Sequence, residues 1–278
     1  MSMPRRIVFV RHGQSESNIV QSAQKKGERF EHEQLVGSRV DWKQRLSKEG
    51  RKQAEDAAIN LKNIYGEMNF FDSLYLSPFI RARETALIIG GDDNSLNWNI
   101  DDRLSERIWA IYGVVSRQEQ RSHFPLTSKL ANDDPWYIRY DGGESLFDVY
   151  NRFKTFKNKL WRDNSEQNVL IVAHKQLIQV ACYDIEKLLP EEWDDIWKNK
   201  VYDIPNLGSV EYSRTNPNDE SDVREKYTWR RVISLASPEN SPLSGGWVEF
   251  SHGKEFTPEQ IQQQISKYPP LLGRLLTL

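Results

Sequence analysis

Four consecutive apolar residues, Ile7-Val8-Phe9-Val10, run straight into Arg11-His12-Gly13. A strand with no polar alternation has no face for water, so this run predicts a central strand covered by helices on both sides. An arginine and a histidine do not belong in the core that such a strand enters. They belong at its carboxyl end, where open α/β sheets bind ligands. The pattern recurs at 72–76, which stops at Ser77-Pro78 ahead of Arg81, and at 169–173, which stops at His174-Lys175.

Helical patterns separate these runs. Ser47 caps a stretch whose Ala54, Ala57, Ala58, Leu61 and Ile64 keep the helical period, and 79–89 follows the second strand. A long amphipathic helix is expected over 144–161, with Leu146, Val149, Tyr150, Phe153 and Leu160 on one face. Another runs through Leu177, Ile178, Ala181 and Leu188. Strand and helix in alternation predict an α/β fold, a three-layer sandwich with a largely parallel central sheet flanked by helices. Strands at 208–212 and 227–234 are expected near an edge, with 216–221 between them as a polar turn. The composition shifts at 237, so 1–236 reads as one domain and 237–278 as an extension packed on or appended to it.

Charge narrows the function. The chain carries 38 Lys plus Arg against 40 Asp plus Glu, a net charge of −2, which argues against a nucleic-acid-coating protein. One cysteine, Cys182, excludes an internal disulfide and a Cys-rich zinc site, and fits a reducing compartment. With only Ile7–Val10 apolar at the N-terminus, neither a signal peptide nor a membrane span is expected, and the location predicted is cytoplasmic.

Convergent cations at strand ends need an anion. Arginine forks and helix N-termini both suit a phosphoryl group. Residues 11–18, RHGQSESN, resemble the RHG signature of the histidine phosphatase superfamily, in its phosphoglycerate mutase-like branch. The resemblance continues in order through Leu46-Ser-Lys-Glu-Gly50 with Gln53-Ala54, then Ser77-Pro78-Phe-Ile-Arg81-Ala82 with Glu84-Thr85-Ala86. Arg103-Leu-Ser-Glu106-Arg107, Gly142-Gly143-Glu144-Ser145 and Val169-Leu-Ile-Val-Ala-His174 complete it.

The resemblance implies a phosphomonoester phosphatase that works through a phosphohistidine. His12 would be the nucleophile, with its other ring nitrogen donating to a carbonyl. Arg11, Arg81 and His174 would surround the phosphoryl oxygens, Asn18 would add a neutral donor, and Gly13 would allow close backbone approach. Glu106 would be the general acid, with Arg107 beside it pointing out. Neither metal nor cofactor is implied, and the partner expected is a phosphorylated small molecule. A phosphoglycerate-type mutase and an inactive binding relative are the alternatives.

Other residues compete for these roles. Arg83 lies about 200° round the helix from Arg81 and is expected at the surface. Asp101, Asp102 and Glu144 read as caps or solvated charges, and His32, His123 and His252 as surface or structural. Lys175 replaces the glycine usual after the second histidine, and either contacts substrate or points to solvent. Insertions near 19–45 and 109–141 leave strand ends, so either can wall the site, with Trp109 and Trp136 as candidate lining.

Overall fold

The structure is a computed structural model that describes residues 2–28, 30–91, 93–113, 117–193, 202–241, 245–250 and 255–271. Its first strand, β1 (Arg6–Arg11), pairs in parallel with β4 (Asn168–Ala173). Beyond β4 lie β2 (Ser73–Leu76) and the short β3 (Trp98–Ile100), both parallel to it. On the other side, β5 (Gly208–Ser213) runs antiparallel to β1, followed by β8 (Trp229–Ser234) and β9 (Val248–Glu249). The resulting seven-stranded order is β3-β2-β4-β1-β5-β8-β9.

Alternation along β1 explains its unbroken apolar run. Ile7 and Phe9 enter one core with Val169, Ile171 and Ala173 of β4. That core is filled by Leu146, Val149, Phe153, Phe156 and Leu160 of α7 (Leu146–Asp163) and by Leu177, Ile178 and Ala181 of α8 (Lys175–Ile185). Val8 and Val10 face the opposite core with Leu170 and Val172, against Ala57 and Leu61 of α3 (Lys48–Tyr65) and Ala82, Ala86 and Ile89 of α4 (Ile80–Gly90). Burial on both faces leaves no polar position available between the strand's ends.

Two of the expected helix starts are set by side-chain caps. Ser47 accepts from Gly50 N, and Ser145 forms a capping box with Asp148 that starts α7 two residues later than the apolar pattern alone indicates. Insertion 19–45 contains the end of α1 (Glu16–Lys26), then α2 (Glu33–Gly37) and a 3₁₀ turn at Asp41–Lys43. Insertion 109–141 contains α5 (Arg117–His123) and α6 (Pro125–Asp133).

Two departures from expectation have local causes. β3 was not foreseen, because an edge strand of three residues with two of them exposed carries no hydrophobic pattern. The segment 216–221 is not a simple turn: β6 (Thr215–Asn216) and β7 (Asp219–Val223) pair as a separate antiparallel hairpin, whose β7 strand is mostly polar and exposed. Part of the segment beyond 236 joins the main sheet as β9, with Phe250 packed against the core and Trp247 stacked over Arg6 and Arg231. The last described helix, Pro258–Ser266, is capped by Thr257 and keeps Ile261 and Ile265 exposed.

The start of α3 presses against the loop after β1. A Cβ on Gly50 would lie 1.9 Å from the Gln14 carbonyl oxygen, whereas one on Gly37 would meet open space. Gly50→Ala is therefore expected to lower stability by about 1–3 kcal/mol through overpacking. Gly37→Ala should change it little, and urea midpoints of the two variants test the contrast.

Candidate active site

Parallel strands end on the same edge of a sheet, and here four do. The register that sets Arg11 opposite Ala173 places His12 beside His174, with ring centroids 5.0 Å apart. The His12 amide continues the ladder to Ala173 O at 3.0 Å, and Ser77 N does the same to Val172 O at 3.0 Å. Beyond β2, the first turn of α4 carries Arg81 into the same space, buried to 4% exposure, while Arg83 is exposed. Beyond β3, Asp101 N bonds Leu76 O at 3.1 Å and leads the chain to Glu106.

His12 is held in one tautomer. Its Nδ1 lies 2.7 Å from the Gly13 carbonyl, which can only accept, so Nδ1 carries the proton. Nε2 keeps its lone pair and accepts from Arg81 Nε at 3.2 Å. The Gly13 N–H is bonded to Thr85 Oγ1 at 3.0 Å, and a Cβ on Gly13 would lie 2.5 Å from Gly50 O. Close packing, not an unusual backbone angle, is what requires glycine at 13.

Burial holds the His12 imidazole well below its ordinary value, and Arg81 and Arg11 push it further down. The same burial, with Arg81, His12, Arg152 and Arg11 nearby, lowers His174. Both histidines are thus neutral, and the fixed positive charge beside them comes from arginines, chiefly Arg81 and Arg11. Arg11 donates from Nη1 to Ile204 O at 2.8 Å, while its buried Nε lacks a partner. Its pKa falls to about 10 through burial, partly offset by Glu106 and Asp203, with Arg81 adding to the fall. The His174 Nε2 meets Ser77 Oγ at 2.7 Å, and its buried Nδ1 is unpartnered.

Glu106 stands on a braced loop. Arg152 pairs with Glu144 at 2.8 Å and donates to the carbonyls of Arg103, at 2.7 Å, and Glu106, at 3.2 Å. Glu144 also accepts from Ile108 N at 2.9 Å, and Asp101 is bound to Arg103. Both acids are thus structural. Burial raises the Glu106 carboxyl, the Arg107 amide and the two arginines oppose this, and Asp41 reinforces it.

Several expectations need correction. Arg107 does not point out: it is 3% exposed, lies 4.8 Å from the Trp109 ring centroid and 4.6 Å from that of Tyr140, and donates to Glu144 O and Ile138 O. Carbonyl acceptors and two aromatic faces offset its burial and keep the guanidinium off the Glu106 carboxyl. Trp136 belongs to the core, packed on Tyr183 and Trp193, whereas half-buried Trp109 stacks on Tyr140. Lys175 forms an ion pair with Asp203. Asn18 is the capping-box residue of α1: its Oδ1 accepts from Ser15 N and Asn206 Nδ2, both at 3.2 Å, which leaves its NH₂ to donate. His32 and His123 are exposed, and His252 lies outside the described residues.

Sequence reasoning missed Asn206, which donates to the His12 carbonyl at 3.0 Å, and Ser77, Thr85 and Glu84. Glu84 accepts from Leu46 N at 2.7 Å and pairs with Arg45 and Arg51, joining α4 to the loop before α3. Their positions in the SPxxRAxET segment were visible, but not their partners. It also missed Asp41, which grips Arg81 (Nη1–Oδ1 3.1 Å, Nη2–Oδ2 3.2 Å). Among the described residues, no three His, Cys, Asp or Glu side chains converge to hold a metal ion. None of the described helices is long and apolar enough to cross a membrane.

This arrangement of two histidines, two arginines and a carboxyl at one sheet edge belongs to a known class. Residues 7–212 match the histidine phosphatase superfamily (branch 1), and the chain is a member of that superfamily. A phosphoglycerate mutase-like protein of Arabidopsis thaliana is 26% identical over 196 residues, which cover 62% of each chain. Phosphoserine phosphatase 1 of Hydrogenobacter thermophilus is 31% identical over 129 residues, covering 46% of this chain and 58% of that protein. The chain thus spans about three-fifths of the length of these curated relatives. Among solved structures, a mycobacterial glucosyl-3-phosphoglycerate phosphatase in complex with VO3 is similar, with a TM-score of 0.56 and 25% identity, covering 75% of this chain and 92% of that one.

Buried neutral imidazoles couple stability to pH. Free histidine titrates near 6.5, and both folded values lie well below it. Below 6.5 the unfolded chain binds more protons, so stability is complete above that pH and is lost as pH falls. Each histidine contributes about 1.4 kcal/mol per pH unit across its window. Glu106, raised above 4.5, acts in the opposite sense just above that value. Urea unfolding from pH 7 to 5 should show the decline, and His12→Gln should remove about half of it.

Proposed function

We propose that the protein is a phosphomonoester phosphatase that acts through a phosphohistidine at His12. The observation that carries this reading is the His12 tautomer: Nδ1 is committed to the Gly13 carbonyl, so the lone pair is at Nε2, where it accepts from Arg81 Nε and would be released for attack when that donor turns to a phosphoryl oxygen. A neutral imidazole held this way is a nucleophile without prior deprotonation.

In the first step Nε2 attacks phosphorus, the bond from phosphorus to the ester oxygen breaks, and Glu106 gives that oxygen its proton. In the second, water attacks the phosphohistidine, Glu106 takes the water's proton, and the P–N bond breaks to release phosphate. Arg11 Nε and His174 Nδ1, buried without partners, would be satisfied by phosphoryl oxygens. Arg81 and the Asn18 NH₂ would supply further donors, while Gly13 shapes the turn through close packing and Lys175 stays with Asp203. The two arginines provide the charge that a metal would otherwise bring, so the reaction is metal-independent in this reading. A small phosphorylated molecule is the substrate class, supported by the names of the phosphoserine and glucosyl-3-phosphoglycerate phosphatases to which the chain is similar. A reducing, cytoplasmic setting suits the one cysteine, buried Cys182.

A screen of phosphomonoesters for released inorganic phosphate tests the activity, with EDTA leaving it intact and His12→Ala abolishing it. Glu106→Gln should slow alkyl phosphates by about 10²–10⁴-fold and nitrophenyl phosphate much less, since nitrophenolate leaves without a proton. Equal losses on both would remove Glu106 from the acid role.

A further inference from the structure

The Arg81 fork is already occupied. A guanidinium has five N–H bonds, and Arg81 directs Nε to His12 Nε2 at 3.2 Å. Its Nη1 donates to Asp41 O at 2.7 Å and Oδ1 at 3.1 Å, and its Nη2 to Asp41 Oδ2 at 3.2 Å. One N–H remains. The paired contact is the fork–fork geometry that arginine uses equally for carboxylate and for phosphate. Asp41 comes from insertion 19–45, and its side chain is 53% exposed while that of Arg81 is 4% exposed.

We propose that Asp41 is a resident competitor for phosphate at Arg81: it positions the guanidinium, and its departure sets how tightly the site binds a phosphoryl group. The inference rests on the phosphatase reading of this site. A phosphoryl dianion and the Asp41 carboxylate cannot share one fork without setting like charges side by side. Asp41 is the member that can leave, because water receives an exposed carboxylate at little cost. The segment does not have to unfold for this: Gln44 Nε2 holds Val36 O at 2.8 Å and Arg39 O at 2.7 Å, independently of Arg81.

Asp41 acts on Glu106 as well. The charged groups facing that carboxyl are Arg81 from α4, Arg11 from β1 and Asp41 from the 3₁₀ turn, with the Arg107 amide beside it. Asp41 is the one anion of the set, and it favours the protonated acid until substrate phosphate takes over that role.

The test is calorimetric titration of the full chain with inorganic phosphate. If Asp41 competes, the apparent affinity is reduced by the fraction of molecules in which the fork is free. Asp41→Asn should then bind phosphate roughly two- to fivefold tighter, within the range expected for a partly exposed ion pair. Asp41→Glu should restore most of the wild-type weakness. In Asp41→Asn the basic limb of the kcat/KM–pH profile should move to lower pH, as Glu106 loses the neighbouring anion. Phosphate binding that is unchanged or weaker in Asp41→Asn overturns the proposal. Binding is measured without turnover, so loss of hydrolysis counts against the phosphohistidine, not against Asp41. Absence of phosphate binding in every form removes both.

Discussion

The parallel pairing of β1 with β4 is the contact on which the site depends. Their register places two imidazoles 5.0 Å apart at the point where both strands leave the sheet. A slip by one residue would turn Ile7 and Phe9 into the wrong core and separate the rings at once. The two apolar cores, one on each face, therefore specify the geometry of the polar edge. Packing fixes the register, and the register delivers His12 and His174.

Around that pair the electrostatics are arranged for an anion. Burial, and after it the two buried arginines, depress both histidines, burial lowers Arg11 itself to about 10, and two buried nitrogen atoms are without partners. The protein sets its own carboxylate, Asp41, against Arg81, and places Glu106 where burial and that carboxylate both favour retention of its proton. The brace behind Glu106, formed by Arg152 and Glu144, fixes the loop without touching the acid's side chain.

The sheet and the facing helices were legible in the residues because their cause is local: unbroken apolar runs, helical periods and Ser caps are written in short windows. His12, Arg11, Arg81 and His174 were legible for the same reason, each sitting one to five residues past a strand. What escaped depends on contacts across long separations. Nothing near Asp41 announces that its carboxylate meets Arg81, forty residues on. Arg107 was misjudged because its partners are carbonyls and rings, and ring stacking by Trp109 and Tyr140 leaves no charge pattern to read. The β6–β7 hairpin and β3 lack the apolar alternation by which strands declare themselves.

The central claim is that the His12 Nε2 takes the phosphoryl group. Rapid quenching of the protein with a phosphorus-labelled phosphomonoester, followed by peptide mapping, tests it directly. The account predicts an acid-labile, base-stable label on the peptide that contains His12, formed and lost at the rate of turnover. Turnover with no label at His12, or with the label on another residue, would contradict it.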